Sequence, residues 1–132
     1  MKVKFCDMDD ASNPLNGSTI RDSRRLLQIL RGMQGREPFF CELEGENGYR
    51  LDVGLAATFG CAQYSHSEGD PPYLMAVDSD AKPEDGYKEF FCQNMHTSVP
   101  ARHCLPLDVT MQIAAFFLET GKPSPAVSWE EI

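Results

Sequence analysis

Three histidines and five cysteines are the side chains of this 132-residue chain best suited to nucleophilic, acid–base or metal chemistry. Their spacing points to none of the three. His103 neighbours Cys104, but adjacent residues on an extended chain face opposite ways, so they form no direct dyad. Cys92 and His96 stand four apart, a spacing that brings side chains together only on a helix, and this segment has strand character. Cys6, Cys41, Cys61, Cys92 and Cys104 are odd in number and contain no C-x-x-C pair, so neither a zinc site nor a disulfide framework is indicated. Cys41, Cys61 and Cys92 sit in apolar runs and read as small core residues. No H-E-x-x-H, G-x-S-x-G or glycine-rich phosphate motif occurs. An enzyme would need a dispersed site, with His66 or His96 meeting a cysteine or carboxylate in space.

The carboxylates say more. The net charge is −8, and the acidic residues cluster at Asp7, Asp9 and Asp10; at Glu42, Glu44 and Glu46; at Glu68 and Asp70; and at Asp78, Asp80, Glu84 and Asp85. Such a surface repels nucleic acid and steers a basic protein partner toward itself, although it also serves solubility. Asp78, Asp80, Glu84 and Asp85 offer oxygen ligands, but they lack the alternate spacing and central glycine of an EF-hand and read as a solvated turn. Tyr64 and Tyr73 flank an acidic loop rich in Gly and Pro, a pattern that suits a protein partner and equally a plain pair of strand ends. Arg24 and Arg31 read as the outer side of a helix rather than as a phosphate site.

These groups have to be positioned by regular elements. Apolar residues make up 42% of the chain, a normal globular fraction, and the length suits one domain. The longest apolar run, residues 113–118, is far short of the ~18 residues of a membrane span. The start, MKVKF followed by CDMDD, does not resemble a signal peptide, so a cytoplasmic location is expected. VKFCD alternates as a strand. A helix is predicted over residues 20–31, with Thr19 as N-cap, Asp22 completing a variant capping box, and Gly32 or Gly35 as the stop. Its apolar arc is Leu26, Leu27, Ile29 and Leu30. FFCELE and YRLDVG flank Asn47-Gly48, which predicts a type I′ hairpin with Glu42, Glu44 and Asp52 on its wet face. Further strands are expected over residues 57–65, 72–78 and 87–95, followed by a short extended stretch. Pro106 suits the first turn of a second helix. That helix is mostly apolar around its circumference and is ended by Gly121 and Pro123. Val127 and Trp129 then alternate about Ser128, so the single Trp reads as part of the core.

The closing segment, VPARHCLPLDVTMQIAAFFLETGKPSPAVSWEEI, carries a recognisable set of features: Val99-Pro100, Leu105-Pro106, Phe117-Leu118-Glu119-Thr120-Gly121, Pro123 and Val127-Ser128-Trp129. In these it resembles the first numbered family of bacterial immunity proteins from polymorphic toxin systems. That family also has a glycine-rich lead into a Tyr-bearing strand, where this chain has Gly69-Asp70-Pro71-Pro72. The resemblance implies a non-catalytic antidote that binds one cognate toxin domain, often a nuclease or nucleic-acid deaminase, and blocks its active site.

The expected fold is a single α+β domain over residues 1–132, a mainly antiparallel sheet with two helices packed on one face. The expected partner is a basic, nucleic-acid-acting toxin domain. Neither nucleic acid, a membrane, a metal nor a cofactor is expected, and the chain should be a monomer or weak dimer. The first candidate surface is Tyr64, Glu68, Asp70, Tyr73, Asp78, Asp80, Glu84 and Asp85, and the alternative is Glu42, Glu44 and Asp52. Competing readings are a protein-interaction adaptor, the dispersed-site enzyme, and a subunit of a larger assembly.

Overall fold

The computed structural model describes every residue except Gln34 and Asn94. In chain order the elements are β1 (Val3–Asp7), β2 (Thr19–Ile20), α1 (Ser23–Gly32), β3 (Phe39–Gly45), β4 (Tyr49–Leu55), β5 (Phe59–His66), β6 (Leu74–Val77), β7 (Tyr87–Cys92), β8 (Met95–Pro100), β9 (Leu105–Pro106), α2 (Leu107–Thr120) and β10 (Ser128–Glu131). One sheet runs β10-β6-β5-β4-β3-β1-β2, antiparallel at each step. β9 adds to β5, and the β7–β8 hairpin joins β3 through a parallel bridge between Phe39 and Phe91. The fold is therefore the expected α+β arrangement.

Period-two alternation assigns the faces. Phe5, Leu43, Leu51 and Tyr64 lie in one cross-strand row, and Cys41, Val53 and Ala62 in the next. This face packs against Leu26, Ile29 and Leu30 of α1 and Met111, Ile113, Ala114, Phe117 and Leu118 of α2. Burying one large aliphatic or aromatic side chain contributes about 1.5–3 kcal/mol, so this row-on-helix packing is the main source of stability. The opposite face is covered only at one end. There Phe90 and Val99 of the β7–β8 hairpin pack on Cys61, Met75 and Cys104, with Phe40 and Phe59 at the margin. Phe90 lies 5.1 Å from Phe40 and 5.7 Å from Phe59, ring centre to ring centre. The rest of that face is left open.

Three local expectations are corrected. Helix α1 starts later than residue 20, because Thr19 and Ile20 pair with Lys4 and Val3 as a short edge strand. The N-cap is Asp22, whose side chain accepts from the Arg24 N–H; capping fell to the nearer carboxylate once the sheet had claimed Thr19. The β3–β4 turn is not type I′, which needs positive φ at both central residues. Gly48 has φ +85° but Asn47 is not among the positive-φ residues, and residues 46–48 form a three-residue loop with glycine in the left-handed position. Finally, the strand expected over residues 87–95 spans Asn94, outside the described residues. β7 ends at Cys92, and the stretch after it is a full strand, β8, paired back along β7.

Asn47 is used elsewhere. Its Nδ2 donates to the Gly121 carbonyl at 2.9 Å, and the Tyr64 hydroxyl donates to the same oxygen at 2.9 Å. Gly121 is the left-handed cap of α2, with φ +73° and its N–H on the Phe117 carbonyl at 2.7 Å. One carbonyl thus ties the hairpin loop, the middle of the sheet and the end of α2. A Cβ on Gly121 would stand 2.3 Å from the Asn47 amide nitrogen. Gly121→Ala is therefore expected to cost about 2 kcal/mol, through left-handed strain plus the displaced amide. A lowered urea midpoint at unchanged slope checks this.

Candidate functional site

The open part of the sheet is built by residues pointing away from the helices. From β1 come Lys4 and Cys6, from β3 Glu42 and Glu44, from β4 Arg50 and Asp52, and from β5 Gln63 and Ser65. The register sets Cys6 beside Glu42 and Glu42 beside Asp52, with Asp52 next to Gln63. The neighbouring row is Lys4, Glu44, Arg50 and Ser65. All but β1 are long strands inside the sheet, so their backbone groups are engaged and the side chains stand on a fixed floor.

The chemistry of this floor is unusual for a surface. Arg50 lies 4.0 Å from Glu42 and 3.8 Å from Asp52, close enough for attraction but too far for hydrogen bonds. Asp52 Oδ1, Arg50 Nε and Ser65 Oγ are all buried, and none has a hydrogen-bond partner among the described residues. Ser65 is only 1% exposed. Burial pushes the Asp52 carboxyl up to about 6; Arg50 pulls it down and Glu42 pushes it further up. Leaving such groups unpaired costs about 1–3 kcal/mol each, so this patch carries strain that the fold alone does not require. Beside it, Gln63, Phe40, Cys61 and Met75 form the floor of a groove walled by residues 97–100 and His103.

The acidic loops lie elsewhere. Glu68, Asp70 and Tyr73 belong to the β5–β6 loop, which is held against the hairpin loop by the Ser67 N–H on the Gly48 carbonyl at 2.9 Å. Asp78, Asp80, Glu84 and Asp85 follow β6 at its other end, where the Asp78 N–H meets the Arg102 carbonyl at 2.6 Å. The four-residue strand between them separates the two groups by about 10 Å or more, so they are two patches rather than one. Glu68, Asp70, Asp80, Glu84 and Asp85 are exposed, whereas Tyr73 is half-buried with its hydroxyl on the Gly69 carbonyl. Tyr64 is corrected outright. It is 9% exposed, stacked at 5.0 Å on Tyr49 and edge-on to Phe117, and it offers a partner no ring face. Its alternation with Ala62 on the helix-covered face is the signal that places it.

Asp7 also leaves the acidic surface. Its side chain is fully buried and receives Arg36 at 2.6 Å, Asn13 at 3.0 Å, and the N–H groups of Asp9 and Asp10. Burial pushes this carboxyl up, but the hydrogen bonds outweigh it and hold it below the ordinary range. It is a structural anchor for the 8–18 loop.

The histidines meet aromatic rings and carboxylates. His66 stacks on Tyr49 at 4.5 Å, exposed His96 lies 3.8 Å from Glu89, and buried His103 contacts Glu130, which also binds Arg102. The thiol of Cys104 is pushed up to about 11 by burial, and those of Cys41 and Cys61 are raised further by the same cause. These thiols are protonated at neutral pH and are poor nucleophiles. Among the described residues no group of three or more His, Cys, Asp or Glu is arranged to hold a metal ion. Nor is any helix among them long and apolar enough to cross a membrane.

A family model described as Immunity protein Imm1 matches residues 11–131. The chain belongs to the Imm1 immunity protein family. No curated protein matches it. As an Imm1 member it is an immunity protein of toxin systems, and its partner is a cognate toxin. Three residues singled out near the C-terminal end serve the fold. Pro106 is the N-cap of α2, Gly121 its C-cap, and half-buried Trp129 packs on the core with its Nε1–H on the Ser124 carbonyl at 2.8 Å. The Imm1 match therefore places the scaffold, and the open sheet face is the part of that scaffold with chemistry left unused.

Proposed function

We propose that this protein is a stoichiometric antidote, acting without catalysis in the bacterial cytoplasm, that binds a basic nucleic-acid-acting toxin domain and covers its active site. Membership of the Imm1 family supports the antidote role. The net charge of −8 supports a basic partner, since a nuclease or deaminase presents positive charge to its polyanionic substrate. Two kinds of surface divide the work. Glu68, Asp70, Asp78, Asp80, Glu84 and Asp85, with Tyr73 at their edge, act at a distance by steering the encounter. The open sheet face, with Glu42, Glu44 and Asp52, makes the close contact.

The test is a tagged pull-down from the native bacterium, with mass spectrometry of any protein recovered at equal stoichiometry. The recovered domain is then expressed alone and together with this chain. Toxicity alone and growth together is the expected result; a domain that is harmless, or lethal in both cases, sinks the antidote reading. Reversing Asp78, Asp80, Glu84 and Asp85 to lysine is expected to lower the association rate about tenfold or more at low salt, with dissociation little changed. Its salt dependence should flatten. Stopped-flow binding across ionic strengths checks both.

A further inference from the structure

We propose that the free edge of β8 and the apolar groove beside it receive one extended segment of the toxin as an added strand, in which apolar and basic residues alternate. The identity of the occupant rests on the antidote reading; the edge and the groove are this chain's own. Among the described residues β8 pairs only with β7. The Phe91 N–H donates to the Pro38 carbonyl at 2.6 Å, away from β8. Phe91 stands opposite His96 and Glu89 opposite Ser98, and main-chain groups alternate in direction along an antiparallel pair. His96 and Ser98 therefore turn their N–H and C=O groups outward from the ladder. The other sheet margins are guarded. β2 is two residues long, and β10 carries Glu130 and Glu131, whereas β8 holds no Lys, Arg, Asp or Glu. Short or charged edges resist strand addition, and a longer uncharged one invites it.

The groove lies along this edge. Thr97, Ser98, Val99 and Pro100 all line it. Side chains of consecutive strand residues point to opposite faces, so the wall these four form is the edge of β8 rather than either face. Phe40, Cys61, Gln63 and Met75 make the floor. The volume of about 230 Å³ is below the ~300–1,000 Å³ of small-molecule pockets and suits side chains of a docked strand. Tyr87, Met95 and Ile132 are the exposed large apolar side chains among the described residues. The first two stand at opposite ends of the β7–β8 hairpin, and the third lines the groove. Charge chooses the occupant. A second copy of this chain would bring a further net charge of −8 and is repelled. Exposed Glu89 accepts from the Ser98 hydroxyl on the outer face, and Gln63 leads across the sheet to Asp52 and Glu42. Lys88 lies over Phe59 and lines a different cleft. An alternating segment would set its apolar residues on Cys61 and Met75 and its basic residues beside Glu89 and Tyr87.

Two measurements separate the docking edge from the antidote reading. In the first, the isotope-labelled chain is titrated with an acetylated heptapeptide of alternating valine and lysine, with the valine–glutamate peptide as control. Saturable amide shifts over residues 96–99, with a Kd on the order of millimolar, are expected for the lysine peptide alone. They should vanish in Ser98→Pro, which removes an outward N–H and spares the ladder to β7, and in Thr97→Lys, which puts a like charge at the wall of the groove. Shifts absent, equal for the two peptides, or unchanged in the variants overturn the edge whatever the protein inhibits. In the second, the toxin domain neutralised by wild type is inactivated and bound to each chain. Hydrogen exchange at the His96 and Ser98 amides should slow about tenfold or more in the wild-type complex, and dissociation should be about tenfold or more faster from both variants. Unprotected amides, or wild-type dissociation rates in both variants, would overturn the edge and leave the antidote reading intact. A wild-type chain that neutralises no toxin but still binds the lysine peptide would overturn the antidote reading alone. A wild-type dimer in sedimentation that Ser98→Pro separates would assign the edge to a second copy and overturn the proposal. Thermal midpoints verify folding, and Thr97→Lys, at an exposed side chain, carries the test if Ser98→Pro does not fold.

Discussion

Asp7→Ala should cost about 3 kcal/mol or more. A domain of this kind has only about 5–15 kcal/mol in total, so the loss is a large share of it. The carboxylate is wholly buried and gathers Arg36, Asn13 and two backbone N–H groups. Removing it leaves four donors without their acceptor at once. Arg36 retains Asp9 at 3.6 Å and the face of Phe39 at 3.6 Å, which keeps the cost from rising further. The pH dependence follows from a folded pKa held below the ordinary carboxylate value by these hydrogen bonds. The stability it contributes is fully present above the unfolded value and is lost as pH falls through the lower folded one. Urea unfolding of wild type and Asp7→Asn, from neutral into acid solution, should show an acid slope in wild type that the variant lacks. Equal slopes would mean that the carboxylate is not the group holding the loop.

Asp52→Asn should do the reverse. Burial pushes its folded pKa up to about 6 from an ordinary 3.8. One unit corresponds to 1.36 kcal/mol, so the ionised form burdens the fold by up to about 3 kcal/mol at neutral pH. The native state binds the proton more tightly than the unfolded chain. Wild-type stability therefore falls as pH rises from the unfolded to the folded value, and the full penalty stands above it. Asp52→Asn should raise the neutral-pH denaturation midpoint and remove that part of the pH dependence. The same substitution is expected to weaken toxin binding. A variant that is more stable yet protects less well is the mark of a residue retained for its contact rather than for the fold. If Asp52→Asn lowers the midpoint at neutral pH, the carboxylate is supporting the sheet through Arg50 and its burial carries no penalty.

Local patterns predicted most of the scaffold. Alternation in FFCELE and YRLDVG marked both faces of the central hairpin, and Pro106 and Gly121 marked the ends of α2, because these are near-neighbour effects. What failed required tertiary knowledge. Thr19 and Ile20 are drawn into the sheet by pairing with β1, which no helix signal reveals. Asn47 looked like a type I′ residue, yet its amide serves a carbonyl 74 residues away. Tyr64 and Asp7 were read as surface groups from their chemistry, although both fall on the helix-covered face by parity with Ala62 and Phe5. Glu42, Glu44 and Asp52 were legible as a wet face. That Asp52 and Ser65 would be desolvated there was not, because it depends on how Arg50 lies across the two strands.

The open face is carried chiefly on β4, which has neighbours along its whole length on both sides. Its amides should exchange with solvent only when the whole domain opens, and those of β2 and β10 at the sheet margins much sooner. The ladder under positions 42, 50, 52 and 63 is made by main-chain groups and is indifferent to which side chains stand on it. If this face is the toxin contact proposed above, replacements at these positions would alter which toxin is recognised while leaving the backbone where it is, and a lineage pressed by a changed toxin would follow it by substitution at the surface alone.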